Sequence, residues 1–253
     1  MAYVPYTSKA VIGYDNVFTS AAVAASSETD EGPAENAVDG LTYDWWQGEG
    51  DPDTLTVNSG SASCDYLAIA AHDLGTQSAT ITLQGSADGA AWVTVAGPYS
   101  PTDDTPWLWR FTQATYAYWR ISVAGGPCRI GVVNAGVAMV LPEGVYAGHA
   151  PASLNRKPKL LNNDSEGGQL LGRSIIRSGA TSEIVQERVS TTWVRDTWQP
   201  FARFAETRPF FYAWRHADFP EEVLYAWSDG EANVQQGPNQ FMKVSLDIKG
   251  QVE

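Results

Sequence analysis

Residues 80–95 read Thr80-Ile81-Thr82-Leu83-Gln84-Gly85-Ser86-Ala87-Asp88-Gly89-Ala90-Ala91-Trp92-Val93-Thr94-Val95. Thr80 to Gln84 alternate polar and apolar, the period of a strand with one buried face. Ala87-Asp88-Gly89 supplies turn chemistry, and Trp92 to Val95 reads as the returning strand. The same period recurs at Trp119, Ile121 and Val123, with Arg120 and Ser122 on the opposite face. Gly/Pro/Ser/Asp clusters at 58–63, 97–105 and 125–127 separate such runs at the spacing of a sandwich or jelly roll. The chain is therefore expected to be mainly β.

Composition bounds the function classes. The 253 residues are 43% hydrophobic and 18% charged, an ordinary globular make-up for one large or two modest domains. Residues 1–150 carry 16 Asp/Glu against 4 Lys/Arg, net −12, whereas 151–253 carry 13 against 12, net −1. This split marks two domains with different surroundings. The first half has no basic footprint to neutralise phosphates, which argues against nucleic acid as its partner. The start, Met1-Ala2-Tyr3-Val4-Pro5, lacks the basic and apolar regions of a signal peptide. No stretch approaches 18 apolar residues, so no membrane span is expected. Cys64 and Cys128 are the only cysteines. Two buried free thiols are the expected state, a disulfide remaining open if the fold joins their strands. Ten Trp and eleven Tyr fit either sandwich cores and assembly interfaces or aromatic platforms for sugar.

The texture changes after residue 140. Pro142, Pro151 and Pro158, the basic Arg156-Lys157-Pro158-Lys159 and the polar run 162–168 read as a connection over 141–172. Residues 173–253 then read as a second β-sandwich domain with one short helix at about 197–206. Thr197 would cap that helix, with Pro200 in its first turn and Trp198, Phe201 and Phe204 on one face. The stretches 210–214 and 223–227 read as paired aromatic strands. The last strand alternates Met242, Val244, Leu246 and Ile248 with polar residues.

Residues 33–46, Pro-Ala-Glu-Asn-Ala-Val-Asp-Gly-Leu-Thr-Tyr-Asp-Trp-Trp, resemble the signature of the discoidin-like family, the coagulation factor type C domains and related carbohydrate-binding modules. Ser86-Ala87-Asp88-Gly89-Ala90-Ala91-Trp92 and Tyr118-Trp119-Arg120-Ile121 are similar to two later family motifs, in the right order. The resemblance covers about residues 14–135 and implies a discoidin-like β-sandwich (jelly roll) over 1–140, the first ~13 residues being open to assignment to the second domain. It also implies a structural calcium held by Asp39 and Asp44, although Asp44 stands where the family has Thr and Leu41 replaces a polar residue. Family ligands bind at loops on one end of the sandwich. Here those loops hold Tyr43, Trp45, Asp51 and Asp53, and then Trp107 and Trp109; the last two, two residues apart, equally suit a core-facing strand.

The second half resembles, in texture alone, the hub domains of bacteriophage distal tail proteins. That resemblance implies a structural virion protein of a tail tip or baseplate, assembled in the host cytoplasm as a homo-oligomeric ring, by expectation a hexamer. Its partners would be other tail or baseplate proteins and a host-surface glycan. The alternative is a free-standing glycan-binding or enzyme-accessory module. No nucleophile elbow, phosphate-cradling loop, paired-His zinc helix or Cys-rich metal spacing occurs, and His72, His149 and His216 lie far apart. The expected role is therefore non-enzymatic.

Overall fold

The alternating stretch at residue 80 forms strand β5 (Thr80–Ser86), whose Ile81 and Leu83 are buried. The computed structural model describes residues 9–19, 22–145, 149–151, 154–155, 157–177 and 179–251. The first half contains β2 (Val23–Ala25), β3 (Trp46–Gln47), β4 (Asp53–His72), β5, β6 (Val93–Tyr99), β7 (Trp107–Ala124) and β8 (Arg129–Gly136). Their order is β3-β8-β4-β7-β5-β6, with β2 also on β4, and every pairing is antiparallel. β4 and β7 run the length of both layers, and their register shifts between Asn58 and Ala62 and between Cys64 and Tyr66. Such irregularities bend a strand pair, so one long antiparallel pair serves both layers of the sandwich. Leu55, Val57, Ile81, Leu83, Trp119 and Ile121 face Trp46, Leu67, Ile69, Trp107 and Ile130 across the core.

The second half completes a different sheet. Strands β1 (Lys9–Gly13), β9 (Met139–Gly144), β12 (Ala180–Ser190), β13 (Phe210–Ala213), β14 (Val223–Ser228) and β16 (Phe241–Gln251) take the order β12-β16-β14-β13-β1-β9, with β15 (Asn233–Gln236) on β16. β1 lies between β13 and β9, so the first described strand belongs to this sheet, after which the chain leaves to build the sandwich and returns to it. Part of the stretch read as a connection is thus structured. It supplies β9 and the hairpin β10 (Lys159–Asp164) with β11 (Leu170–Arg177). Arg156 of its basic run lies outside the described residues.

The helical run starts sooner than the sequence indicated. It comprises α1 (Thr191–Trp193), a π-helical segment Val194–Trp198 and α2 (Gln199–Ala205). Ser190, at the end of β12, accepts the Trp193 N–H at 3.2 Å and is the true N-cap, which leaves Thr197 inside the π segment. Trp198 and Phe201 are buried against Phe210 and Ile12 of the sheet, as the apolar face predicted. Among the described residues no helix is long and apolar enough to cross a membrane.

The two sheets meet in a third apolar cluster. Side chains alternate along β4, so Leu67 and Ile69 enter the sandwich core while Tyr66, Ala68 and Ala70 point the other way. Those three, with Leu108 and Val132, pack on Val11, Phe211, Ala213, Val223 and Tyr225 of the second sheet. Alanine at 68 and 70 lets the layers approach closely. Gly13 is required there, because a Cβ would come within 2.6 Å of the Tyr66 ring. At the rim, Asp65 accepts Arg110 Nη2 at 2.7 Å and the Ala138 N–H at 2.8 Å.

His216 lies near Arg110, and its imidazole is pushed down to about 4 by desolvation and then by the Arg110 charge. It is neutral in the folded protein and protonates below its ordinary 6.5 once unfolded. Its contribution to stability is thus present above pH 6.5 and is lost as the pH falls toward about 4. Chemical denaturation midpoints should drop across that window, and His216→Gln should flatten the drop.

Candidate functional site

One end of the sandwich is built by loops that acidic side chains pin to backbone. Asp53 is buried; its Oδ1 accepts the hydroxyls of Ser26 at 3.0 Å and Ser27 at 2.5 Å, and its Oδ2 accepts the Gly50 N–H at 2.7 Å. Asp51 Oδ1 accepts the Gly125 N–H at 3.0 Å, tying that loop to the β7–β8 turn. Asp104 accepts from both the Thr76 N–H and its hydroxyl, at 2.9 and 2.5 Å. His72 sits beneath, with Nε2 3.0 Å from the Thr105 carbonyl and Nδ1 accepting the Leu74 N–H at 3.3 Å, which fixes the Nε2–H tautomer. Desolvation holds its imidazole below the usual range despite nearby Asp104 and Asp73. This is the environment of a structural histidine.

The motif at 33–46 has a local purpose. Residues 34–38 form a 3-10 turn, Asn36 donates to the Trp45 carbonyl at 3.2 Å, and Trp46 Nε1 donates to the Ser27 carbonyl at 3.1 Å. Trp46 is a core plug, whereas Trp45 is half-buried, its Nε1 shielded and without a hydrogen-bond partner. The Arg129 guanidinium lies 4.6 Å from the Trp45 ring centroid, and its Nε donates to Gln47 Oε1 at 3.2 Å. Arg129 is anchored again by its backbone N–H, which donates to Asp73 Oδ1 at 2.7 Å. Trp45, Gln47, Arg129 and Asp73 thus form a ring-and-guanidinium cluster on this end.

The other expected ligand residues divide. Tyr43 is 74% exposed on the loop leading to Trp45. Asp51 and Asp53 hold loops and are committed to them. Trp107 is a correction: it is buried in the core, 5.0 Å from the Tyr99 ring, and cannot meet a ligand. Trp109, two residues on, is half-buried on the same side, 5.5 Å from Tyr99. β-strand alternation placed both toward the core. Arg129 and Gln47 had been missed; Gly125-Gly126-Pro127 before Arg129 marks a loop end, but no spacing links it to Trp45.

Asp39 Oδ1 accepts the Leu41 N–H at 2.7 Å. Its carboxyl is pushed up by desolvation, against that hydrogen bond, and the Asp44 charge adds to the rise. Asp44 Oδ1 is shielded and has no hydrogen-bond partner. A carboxylate with an unpartnered oxygen beside the charge of a second suits a hard cation, though the two supply only part of the six to eight oxygens calcium takes. Among the described residues no group of three or more His, Cys, Asp or Glu is placed to hold a metal. Cys64 and Cys128 are free and buried, and desolvation raises both thiols, Cys128 to about 11.

No family model and no curated protein matches this chain. Solved structures that it resembles in fold include carbohydrate-binding modules. A pectin-binding module is 20% identical over 45% of this chain and 88% of its own, with a TM-score of 0.41. A family 32 module from Clostridium perfringens, in complex with GalNAc-β-1,3-galactose, is 17% identical over 45% of this chain and 93% of its own, TM-score 0.41. Chitosan-binding module 1 of a chitosanase/glucanase from Paenibacillus sp. IK-5 is 23% identical over 48% of this chain and 98% of its own, TM-score 0.40. None of these likenesses supports the expected distal-tail role.

Removing the Asp53 carboxylate leaves the donors of Ser26, Ser27 and Gly50 without their acceptor. Asp53→Ala should cost about 3 kcal/mol, read as a lower denaturation midpoint at unchanged m-value.

Proposed function

We propose that this chain is a non-catalytic glycan-binding protein that meets its ligand at the Trp45–Arg129 cluster. The observation that supports this reading is a half-buried aromatic ring beside an exposed guanidinium that is anchored at its Nε and its backbone but not at its terminal nitrogens by any described residue. Sugars are recognised by such a pairing, an apolar face for the C–H surface and fixed donors for the hydroxyls. Tyr43 lies on the adjacent loop and extends the platform. The sugar-side loops are preorganised by Asp51, Asp53 and Asp73, which lowers the ordering cost of binding.

A glycan array and titrations with pectin, chitosan oligomers and GalNAc-β-1,3-galactose test the reading on the full chain. Arg129→Ala and Trp45→Ala should each weaken binding about tenfold or more, as expected for losing a charged hydrogen bond or a stacking face. No retained glycan, or binding indifferent to both substitutions, would reject it.

Within the same reading, Asp39 and Asp44 hold the structural calcium that the motif's resemblance implies, pinning the loop that carries Tyr43 and Trp45. Calcium should raise the melting temperature and chelator should reverse the gain; Asp44→Asn should remove the response. The tail-tip setting is a second reading, favoured by the solvent-exposed leucines of the β10–β11 hairpin, which an assembled state would cover.

A further inference from the structure

Ile81, Leu83, Trp119 and Ile121 point into the sandwich core, and side chains alternate, so the residues between them form the outer face of β2, β4, β7, β5 and β6. The register sets these residues in two rows. Ala24, Thr56, Arg120, Gln84 and Thr94 stand side by side across the five strands, and Thr54, Ser122 and Thr82 across three. Neighbouring strands lie about 4.8 Å apart, so the longer row runs about 19 Å. A solvated face ordinarily mixes charges of both signs. No Asp or Glu stands in either row, although residues 1–150 hold 16 of them, and the one charge is Arg120.

Arg120 is held in a fixed orientation. Its guanidinium carbon lies 4.0 Å from the Trp92 ring centroid, and its Nε donates to Gln84 Oε1 at 2.5 Å. Among the described residues nothing takes its terminal nitrogens or the hydroxyls of Thr56, Thr82, Thr94 and Ser122. A guanidinium stacked on an indole presents a planar fork of donors, and that fork matches the two oxygens of a carboxylate. The hydroxyls around it match the hydroxyls of sugar rings. With no carboxylate in the rows, an anion approaching them meets no like charge on this face.

We propose that this sheet face is a second ligand site, which takes an extended uronic-acid glycan laid across the strands. One carboxylate of the glycan meets the terminal nitrogens of Arg120, and ring hydroxyls on either side meet Thr56, Gln84 and Thr94. The face is open, so a single sugar makes few contacts on it, whereas a chain sums them along the row. The site shares no residue with the Trp45–Arg129 cluster, which is built on β8 and the loop before β3. Neutral glycans test that cluster and charged ones this face, so the two readings can fail separately.

Calorimetric titration of the full chain with oligogalacturonates of increasing length tests it, in a Trp45→Ala/Arg129→Ala background that removes the loop-end cluster. Binding should persist there, strengthen with chain length and weaken with added salt. Methyl esterification of the probe, which neutralises its carboxylates, should weaken binding about tenfold or more. Thr56→Glu/Thr82→Glu, which sets carboxylates beside Arg120 and leaves its contact with Trp92 in place, should do the same at an unchanged circular dichroism spectrum. If that variant misfolds, Thr94→Glu replaces it with the same expectation. If the background misfolds, amide shifts of the wild type on titration decide, and they should fall on β4, β5 and β7 around Thr56, Gln84 and Arg120. Absence of oligogalacturonate binding, equal affinity for the methyl ester, affinity unchanged by the added carboxylates, or shifts confined to the loop end would overturn the proposal.

Discussion

Burial of β4 on both faces is the constraint on which the rest of the molecule depends. From Cys64 to Ala70 every residue is buried, odd-numbered Leu67 and Ile69 filling the sandwich while Tyr66, Ala68 and Ala70 meet the second sheet. A strand with no solvated face must have two partners, so the halves are coupled by apolar packing as well as by chain connection. The same constraint explains the small residues at the junction. Gly13 admits the Tyr66 ring, and Tyr225 reaches across to donate its hydroxyl to the Gly40 carbonyl at 2.7 Å.

The acidity of the first half has a local explanation. Ten of its 16 carboxylates accept a backbone N–H, among them Asp15, Glu28, Asp39, Asp51, Asp53, Asp65, Asp73, Asp88, Asp103 and Asp104. Loops leave donors that no strand satisfies, and short carboxylate side chains satisfy them. Asp88 shows the effect most simply: it binds the Ala90 and Ala91 N–H groups, and these bonds lower its carboxyl below the usual range. The net charge thus reflects loop construction before it reflects any partner.

The family-like motifs prove to be mainly architectural. Asn36 and Trp46 fix the loop, Ser86 and Asp88 close the hairpin turn around Gly89, and Trp92 lies under Arg120 at 4.0 Å. The candidate ligand cluster draws one residue from such a motif, Trp45, and its decisive neighbour Arg129 from outside all of them. Motif residues are legible because local backbone geometry demands them. A binding surface is not, because it needs only proximity.

The sequence by itself determined the strands, since alternation, turn chemistry and the apolar run 242–248 are local, and local patterns dictate which face of a strand is buried. It also determined the helix-forming aromatic face of Trp198 and Phe201, though not the start of the run, because Ser190 competes for the cap from the end of a strand. Tertiary structure alone decided that β1 belongs to the second sheet, that Trp107 is core while Trp45 is only half-buried, and that Arg129 stands beside a tryptophan 84 positions earlier. Each of these depends on contacts between segments far apart in the chain, and no periodicity encodes which distant face a strand will meet.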